Sequence, residues 1–266
     1  MIPLFKVFMA PTAKEEVGKV LDSGYIGQGP KVDEFEDQLK DYFGNPNLIT
    51  TNAGTSALHL ALHLLKKPKP HWHEVLHGSI VINHHWPGIK DGDEILATPL
   101  TCTASNWPIL ANNLKIKWVD IDPETLNMDL EDLERKMTPK TKAIMGVHWG
   151  GYPLDLDKIR DIRNRFRGKH GWAPSLIEDG AHAFGTKYKG KYLGNHGNFV
   201  MNSLQAIKHI TSIDGGLLHC PYEELYERAK LLRWYGIDRN PKGRTDFRCE
   251  ADIAEWGFKF HMNDIC

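Results

Sequence analysis

Asn202-Ser203-Leu204-Gln205-Ala206-Ile207-Lys208-His209-Ile210-Thr211-Ser212-Ile213-Asp214-Gly215-Gly216 is the stretch from which the rest of the chain is read. A serine precedes a lysine by five residues, and an acid with a glycine pair follows. A lysine taken alone is far more often a solvated surface charge than a reactive amine. Here Ile207 and Ile210 flank Lys208, which predicts an apolar neighbourhood. Burial disfavours the ammonium form and lowers a lysine's pKa, as Schiff-base chemistry requires. Residues 197–201 and 216–220 read as strands on either side, so the lysine belongs to a loop between strands.

Outward from this loop the chain alternates strands and helices. Strands are expected at 47–50, 94–97, 115–121, 141–147 and 175–179. Helices are expected from 12 to 23, 30 to 43, 57 to 65, 104 to 111, 129 to 137, 156 to 162 and 223 to 234. That rhythm predicts an α/β fold, a three-layer α/β/α sandwich with a mainly parallel central sheet. The first two helices precede the first strand and are expected to pack outside the sheet. Thr12-Ala13-Lys14-Glu15 has capping-box spacing, and Pro30 stands at a favoured first helical position.

Three further segments carry candidate chemistry. Ser175-Leu176-Ile177-Glu178-Asp179 is a strand ending in an acid pair, and ligand contacts in parallel sheets gather at the carboxyl ends of strands. An aspartate there either caps the next turn or holds a protonated ring nitrogen. Thr51-Asn52-Ala53-Gly54-Thr55-Ser56 runs from a strand into a helix. It is either an ordinary turn with Thr or Ser as cap, or an anion site on the helix N-terminus. It lacks the GK[ST] of a P-loop. Gly24-Tyr25-Ile26-Gly27-Gln28-Gly29-Pro30 is either a connector or a loop lying close over a ligand. An amine, a strand-end aspartate and a phosphate turn together point to pyridoxal phosphate (PLP) on Lys208.

Composition narrows the classes. The chain has 266 residues, 33 basic and 34 acidic side chains and 41% hydrophobic residues, ordinary for a globular protein. No basic bias points to nucleic acid. The apolar runs fall far short of a bilayer span, and the first residues lack a signal-peptide pattern. Cys102, Cys220, Cys249 and Cys266 are scattered with no CxxC pair, so neither a disulfide framework nor a zinc ribbon is indicated, and a reducing cytoplasm is expected. Residues 66–88 stand apart: His71, His73, His77, His84 and His85 crowd there with Trp72 and Trp86. They read as an inserted surface loop or subunit contact, with metal binding as the alternative.

Taken together, these segments resemble the DegT-type (DegT/DnrJ/StrS) nucleotide-sugar aminotransferases, PLP enzymes of fold type I. The resemblance runs through the glycine-rich loop, residues 51–58, Gly92-Asp93-Glu94-Ile95, His148-Trp149-Gly150-Gly151-Tyr152-Pro153, Glu178-Asp179-Gly180-Ala181-His182-Ala183-Phe184-Gly185, the loop of Lys208, and residues 257–265. It implies that Lys208 forms the internal aldimine and shuttles protons. It implies that Asp179 meets the pyridine nitrogen and that His182 touches the ring. It places Gly54, Thr55, Ser56 and Ser203 in the phosphate-binding set. The reaction implied is transfer of an amino group, usually from glutamate, to a keto-sugar carried on a nucleoside diphosphate. A homodimer with shared sites is implied too, with no nucleic acid or membrane partner.

The chain departs from the family pattern in four places. Cys102 stands where relatives often place an aromatic ring against the cofactor. Lys259 stands where many have an asparagine that reaches the neighbouring subunit's phosphate; an ammonium is expected to serve the same anion. Residues 66–88 look inserted. The chain stops at Cys266, so residues 1–236 are expected to form the PLP-binding large domain and 237–266 the start of an incomplete small domain. Two alternatives remain: a sugar 3-dehydratase of the same family, which typically carries His at the lysine position, or an inactive fragment that dimerises or binds metal.

Overall fold

The computed structural model describes residues 2–3, 5–67, 86–239 and 253–266. Its elements are α1 (Ala13–Ser23), α2 (Pro30–Phe43), β1 (Leu48–Thr51), α3 (Gly54–Leu64), β2 (Glu94–Ala97), α4 (Thr103–Ala111) and β3 (Lys115–Trp118). There follow α5 (Leu130–Lys136), β4 (Thr141–Val147), α6 (Leu156–His170), β5 (Ser175–Asp179), a small hairpin β6 (Lys187–Tyr188) and β7 (Lys191–Tyr192), β8 (Phe199–Ser203), β9 (Gly216–His219) and α7 (Glu223–Leu232). Seven strands form one sheet in the order β1-β9-β8-β5-β4-β2-β3. Neighbours from β3 to β8 pair in parallel, whereas β9 runs antiparallel to both β8 and β1. The expected mainly parallel α/β sandwich is the observed fold.

Strand residues alternate between two apolar layers, as the two-residue period of a pleated strand requires. Ile95, Ala143, Met145, Ile177, Phe199, Met201 and Leu218 face one layer with α3, and Leu232 of α7 joins them. Leu96, Ile144, Leu176 and Val200 face the other, against Leu130 and Leu133 of α5 and Ile159 and Ile162 of α6. On that same side α2 covers the sheet edge, with Val32, Leu39 and Phe43 against Leu48 and Leu217. So α2 forms part of a sandwich layer rather than lying outside it. Of α1 only Val20 is buried.

Other local expectations change. Thr12 makes no side-chain cap bond to α1, and α3 starts after Ala53 rather than after a capping Thr or Ser. β3 ends at Trp118, earlier than expected, and the β6–β7 hairpin has no counterpart in the sequence reading. The histidine-rich stretch from His71 to His85 lies outside the described residues. Among those described, no group of three or more metal-ligating side chains occurs.

Buried polar groups tie distant segments together. The Asp264 carboxylate accepts from the backbone amides of Gly29, Lys31 and Val32 at 2.6, 3.2 and 3.2 Å, so it caps α2 from the far end of the chain. Arg233 bonds Glu36 and donates to the Thr50 carbonyl at 3.0 Å, joining α7 to α2 and β1. Glu255 accepts from Arg228 and pairs with His63 at 2.8 Å. Burial works against the Glu255 charge, yet the bonds from His63 and Arg228 hold its carboxyl down to about 2.

Two outcomes follow from this packing. Replacing Asp264 by Ala leaves three amides of α2 without their acceptor and should lower stability by about 1–2 kcal/mol in urea denaturation. Breaking the exposed Lys31–Glu34 pair should leave the urea midpoint unchanged within error. The second outcome concerns His219, which is fully buried on β9, where burial pushes its imidazole down to about 3. The unfolded imidazole takes up a proton below its ordinary value of about 6.5, while the folded one stays neutral. Stability is therefore lost as pH falls from 6.5, by up to about 1.4 kcal/mol per pH unit from this group. Urea midpoints at pH 7.5 and 5.5 should show the loss, and His219→Gln should lessen it.

Candidate active site

The site is built where α3 meets the ends of β8 and β9. Gly216 opens β9 so close to the α3 N-terminus that a β-carbon there would lie 2.5 Å from the Gly54 nitrogen. A β-carbon on Gly54 would lie 2.8 Å from the Met201 sulfur on β8. A side chain at Gly216 would press on the helix backbone, whereas one at Gly54 would have to displace the flexible Met201 side chain. Ala53, in extended backbone, precedes the first turn and makes no side-chain cap. Its neighbours Gly54 and Thr55 border a cavity, so the amide end of the helix dipole opens onto that space.

The cavity holds about 450 Å³ and lies at the carboxyl ends of the sheet strands. Gly54, Thr55, Cys102, Asp179, His182, Ser203 and Lys208 all line it. These side chains come from four loops and strand ends separated by more than 150 residues, so tertiary folding alone brings them together. Ser56 is not on the wall. Lys259 is not either: it is exposed, and its Nζ stands 3.8 Å from the centre of the Trp234 ring. None of residues 24–30 lines the cavity. That glycine-rich loop is instead pinned by Asp264 and by Arg239 Nη1, which donates to the Gln28 carbonyl at 3.1 Å.

The acid pair at the end of β5 divides between the two sides of the sheet. Asp179 faces the cavity and is nearly buried; its Oδ1 accepts from the Ala181 amide at 3.0 Å and its Oδ2 from the Ser105 hydroxyl at 2.5 Å. Glu178 turns the other way, accepting from Asn198 Nδ2 and pairing with His148 Nε2, each at 2.8 Å. His148 borders the cavity, but its Nδ1 accepts from the Leu154 amide at 3.0 Å, so both ring nitrogens are committed. His182 differs. Burial draws its imidazole below the ordinary value, and the nearby Lys208 charge draws it further while Asp179 opposes. It makes a T-shaped contact with the Trp149 ring on the wall.

Lys208 sits on a loop closed on itself. Leu204 N donates to the Gly215 carbonyl at 2.9 Å, and Ser212 N and Thr211 Oγ1 donate to the Leu204 carbonyl. Lys208 is half-buried on the cavity wall, and Ile207 lines that wall beside it, whereas Ile210 does not. Both isoleucines keep substantial exposure, 49% and 43%. Ile213, in the same loop, has φ 72°, a left-handed conformation costly for a β-branched residue. Sequence reasoning missed Thr101, Ser105, Gln205 and Asp214; the four-residue spacing of Thr101 and Ser105 into α4 was the available signal for the first two.

Comparison with known proteins identifies the fold and the family. The structure of AtS13 from Actinomadura melliaura superposes with a TM-score of 0.87 at 50% identity. That of the sugar aminotransferase CalS13 from Micromonospora echinospora gives 0.86 at 43%. A GDP-4-keto-6-deoxymannose-3-dehydratase, ColD, solved with bound GDP-perosamine, gives 0.83 at 26%. Each comparison covers 100% of this chain and 65% of the other, so the chain spans just under two thirds of their length. The sequence model of the DegT/DnrJ/EryC1/StrS aminotransferase family matches residues 9–266, and with half its residues shared with one solved structure, the chain belongs to that family.

Proposed function

We propose that this chain carries the cofactor site of a PLP-dependent aminotransferase of fold type I. The reaction passes an amino group, with glutamate as the donor, to a keto-sugar linked to a nucleotide. The observation that carries the reading is the meeting of Lys208, Asp179 and the Gly54–Thr55–Ser203 corner around one cavity. PLP makes three demands: an amine for its aldehyde, an acid for its ring nitrogen and donors for a dianionic phosphate. Each has a matching group on the wall, and about 450 Å³ is within the usual range for a small-molecule pocket.

Bound there, PLP supplies an electron sink that lets a proton leave the carbon bearing the amino group. The chain's residues do the rest. The α3 amides and the Ser203 and Thr55 hydroxyls hold the phosphate, with Ser56 behind them in the same turn. Asp179 would accept a hydrogen bond from the ring nitrogen. Lys208 would anchor the cofactor and take and return the migrating proton at Nζ. His182 would line the ring's side of the cavity. Cys102 supplies a small polarizable wall where relatives place an aromatic ring.

Further parts of the reading reach beyond one chain. Lys259, outside its own cavity, is assigned to the phosphate of a second subunit in a homodimer with shared sites. Among the described residues no helix is long and apolar enough to cross a membrane. A dehydratase is the second reading, favoured by the likeness to ColD. Lys208 at the anchoring position argues for transamination, because a histidine there would provide no amine.

Mixed with PLP, the chain should develop visible absorbance, and borohydride should leave a cofactor-sized mass on the peptide containing Lys208. Lys208→Ala should lose that label and about 10²–10⁴-fold of the amino-transfer rate. A label of equal yield in the alanine variant would refute the assignment. With glutamate and a nucleotide-linked keto-sugar, release of 2-oxoglutarate matched by aminated sugar marks the aminotransferase; deoxygenated sugar without transfer marks the dehydratase.

A further inference from the structure

The aspartate of the candidate site does not stand alone. Asp179 Oδ2 accepts from the Ser105 hydroxyl at 2.5 Å. Ser105 lies on α4, is fully buried, and is absent from the cavity wall. A second contact at 2.5 Å joins Ser105 Oγ to Thr101 Oγ1. A hydroxyl carries one proton and a carboxylate only accepts, so the direction of the chain is set. Ser105 gives its proton to Asp179, and Thr101 gives its own to Ser105. Thr101 borders the cavity, so a line of hydroxyls leads from the cavity wall, through the interior, to the side of Asp179.

The carboxylate is thereby held from two directions. The Ala181 amide fixes Oδ1 and the Ser105 hydroxyl fixes Oδ2. A carboxylate has about four lone-pair sites. With two occupied from the protein side, those left over are offered to the cavity. A serine that served only to fill space would need no proton aimed at an oxygen. Nothing about Ser105 in the sequence suggests a link to Asp179, 74 residues away.

We propose that Ser105, oriented by Thr101, is a positioning residue that presents Asp179 to the ring nitrogen of the cofactor. This rests on the PLP reading above. Ser105 touches no substrate or cofactor; it acts by holding the carboxylate in one rotamer and keeping it an acceptor. A positive charge held at the ring nitrogen opposes a second one on the lysine side of the same conjugated system. Loosening Asp179 should therefore raise the pH midpoint of the bound cofactor's visible absorbance.

The test uses Ser105→Ala, Ser105→Thr and Thr101→Val, with melting temperature recorded for each. PLP affinity is measured by absorbance titration, and the absorbance midpoint by varying pH. Ser105→Ala should bind PLP roughly tenfold more weakly, the scale of one hydrogen bond to a charged group, and show a raised midpoint. Ser105→Thr, which keeps the hydroxyl, should recover both, and Thr101→Val should move both in the direction of the alanine variant by a smaller amount. Wild-type affinity and midpoint in Ser105→Ala would overturn the proposal while leaving the PLP reading intact. So would a threonine variant that behaves like the alanine one, because volume rather than the hydroxyl would then be at work. If Ser105→Ala does not fold, Thr101→Val decides: wild-type values there overturn the proposal. A wild-type chain that takes up no PLP overturns the functional reading and this inference with it.

Discussion

The structure depends on a backbone contact between two glycines. Gly54 begins α3 and Gly216 begins β9, and a β-carbon on Gly216 would lie only 2.5 Å from the Gly54 nitrogen. That approach lets the uncapped end of a well-buried helix rest on the tips of β8 and β9. The helix dipole then points into the cavity rather than into solvent. Ser203, the last residue of β8, comes level with the helix amides for the same reason. An alanine at Gly216 would press on the backbone at the start of α3 and so disturb the cavity wall that the helix shares with the loop bearing Lys208.

Around that contact, charge is sorted by what each group touches. Glu178 and Asp179 are adjacent, but the strand pleat sends them to opposite faces. One becomes part of a closed structural pair with His148 and Asn198; the other keeps capacity to spare toward the cavity. The two histidines on the wall divide in the same way. His148 has no free nitrogen, whereas burial and the Lys208 charge draw the His182 imidazole below its ordinary value. The long-range clamps serve the same end. Asp264, Arg233 and Glu255 fasten α2, β1 and α3 to late segments of the chain, and α3 is the element whose placement matters most.

Much of the fold was legible in sequence because it is written in periodicity. Strands such as 141–147 and 175–179 are short apolar runs bounded by turns, and α2 carries an apolar stripe closed by Gly44. The β6–β7 hairpin escaped notice because two-residue strands have no period to detect. The candidate residues that line the cavity were legible through residue type and order: an amine, a strand-end acid, a glycine turn and a serine. Their neighbours were not. The apolar setting expected from Ile207 and Ile210 was half met: Ile207 shares the cavity wall with Lys208, whereas Ile210 does not.

By itself, then, the order of residues determined the alternation of strands and helices, the family, and most of the candidate groups found on the cavity wall. These are local or pattern-borne properties, carried by a few residues in a row. Tertiary structure alone decided that Gly54, Asp179, Ser203 and Lys208 share one cavity, that Ser105 reaches Asp179, and that the glycine-rich loop is fastened by Asp264 away from that cavity. Those facts depend on how helices settle on the sheet. That settling is governed by close packing between residues far apart in the chain, which no stretch of sequence contains.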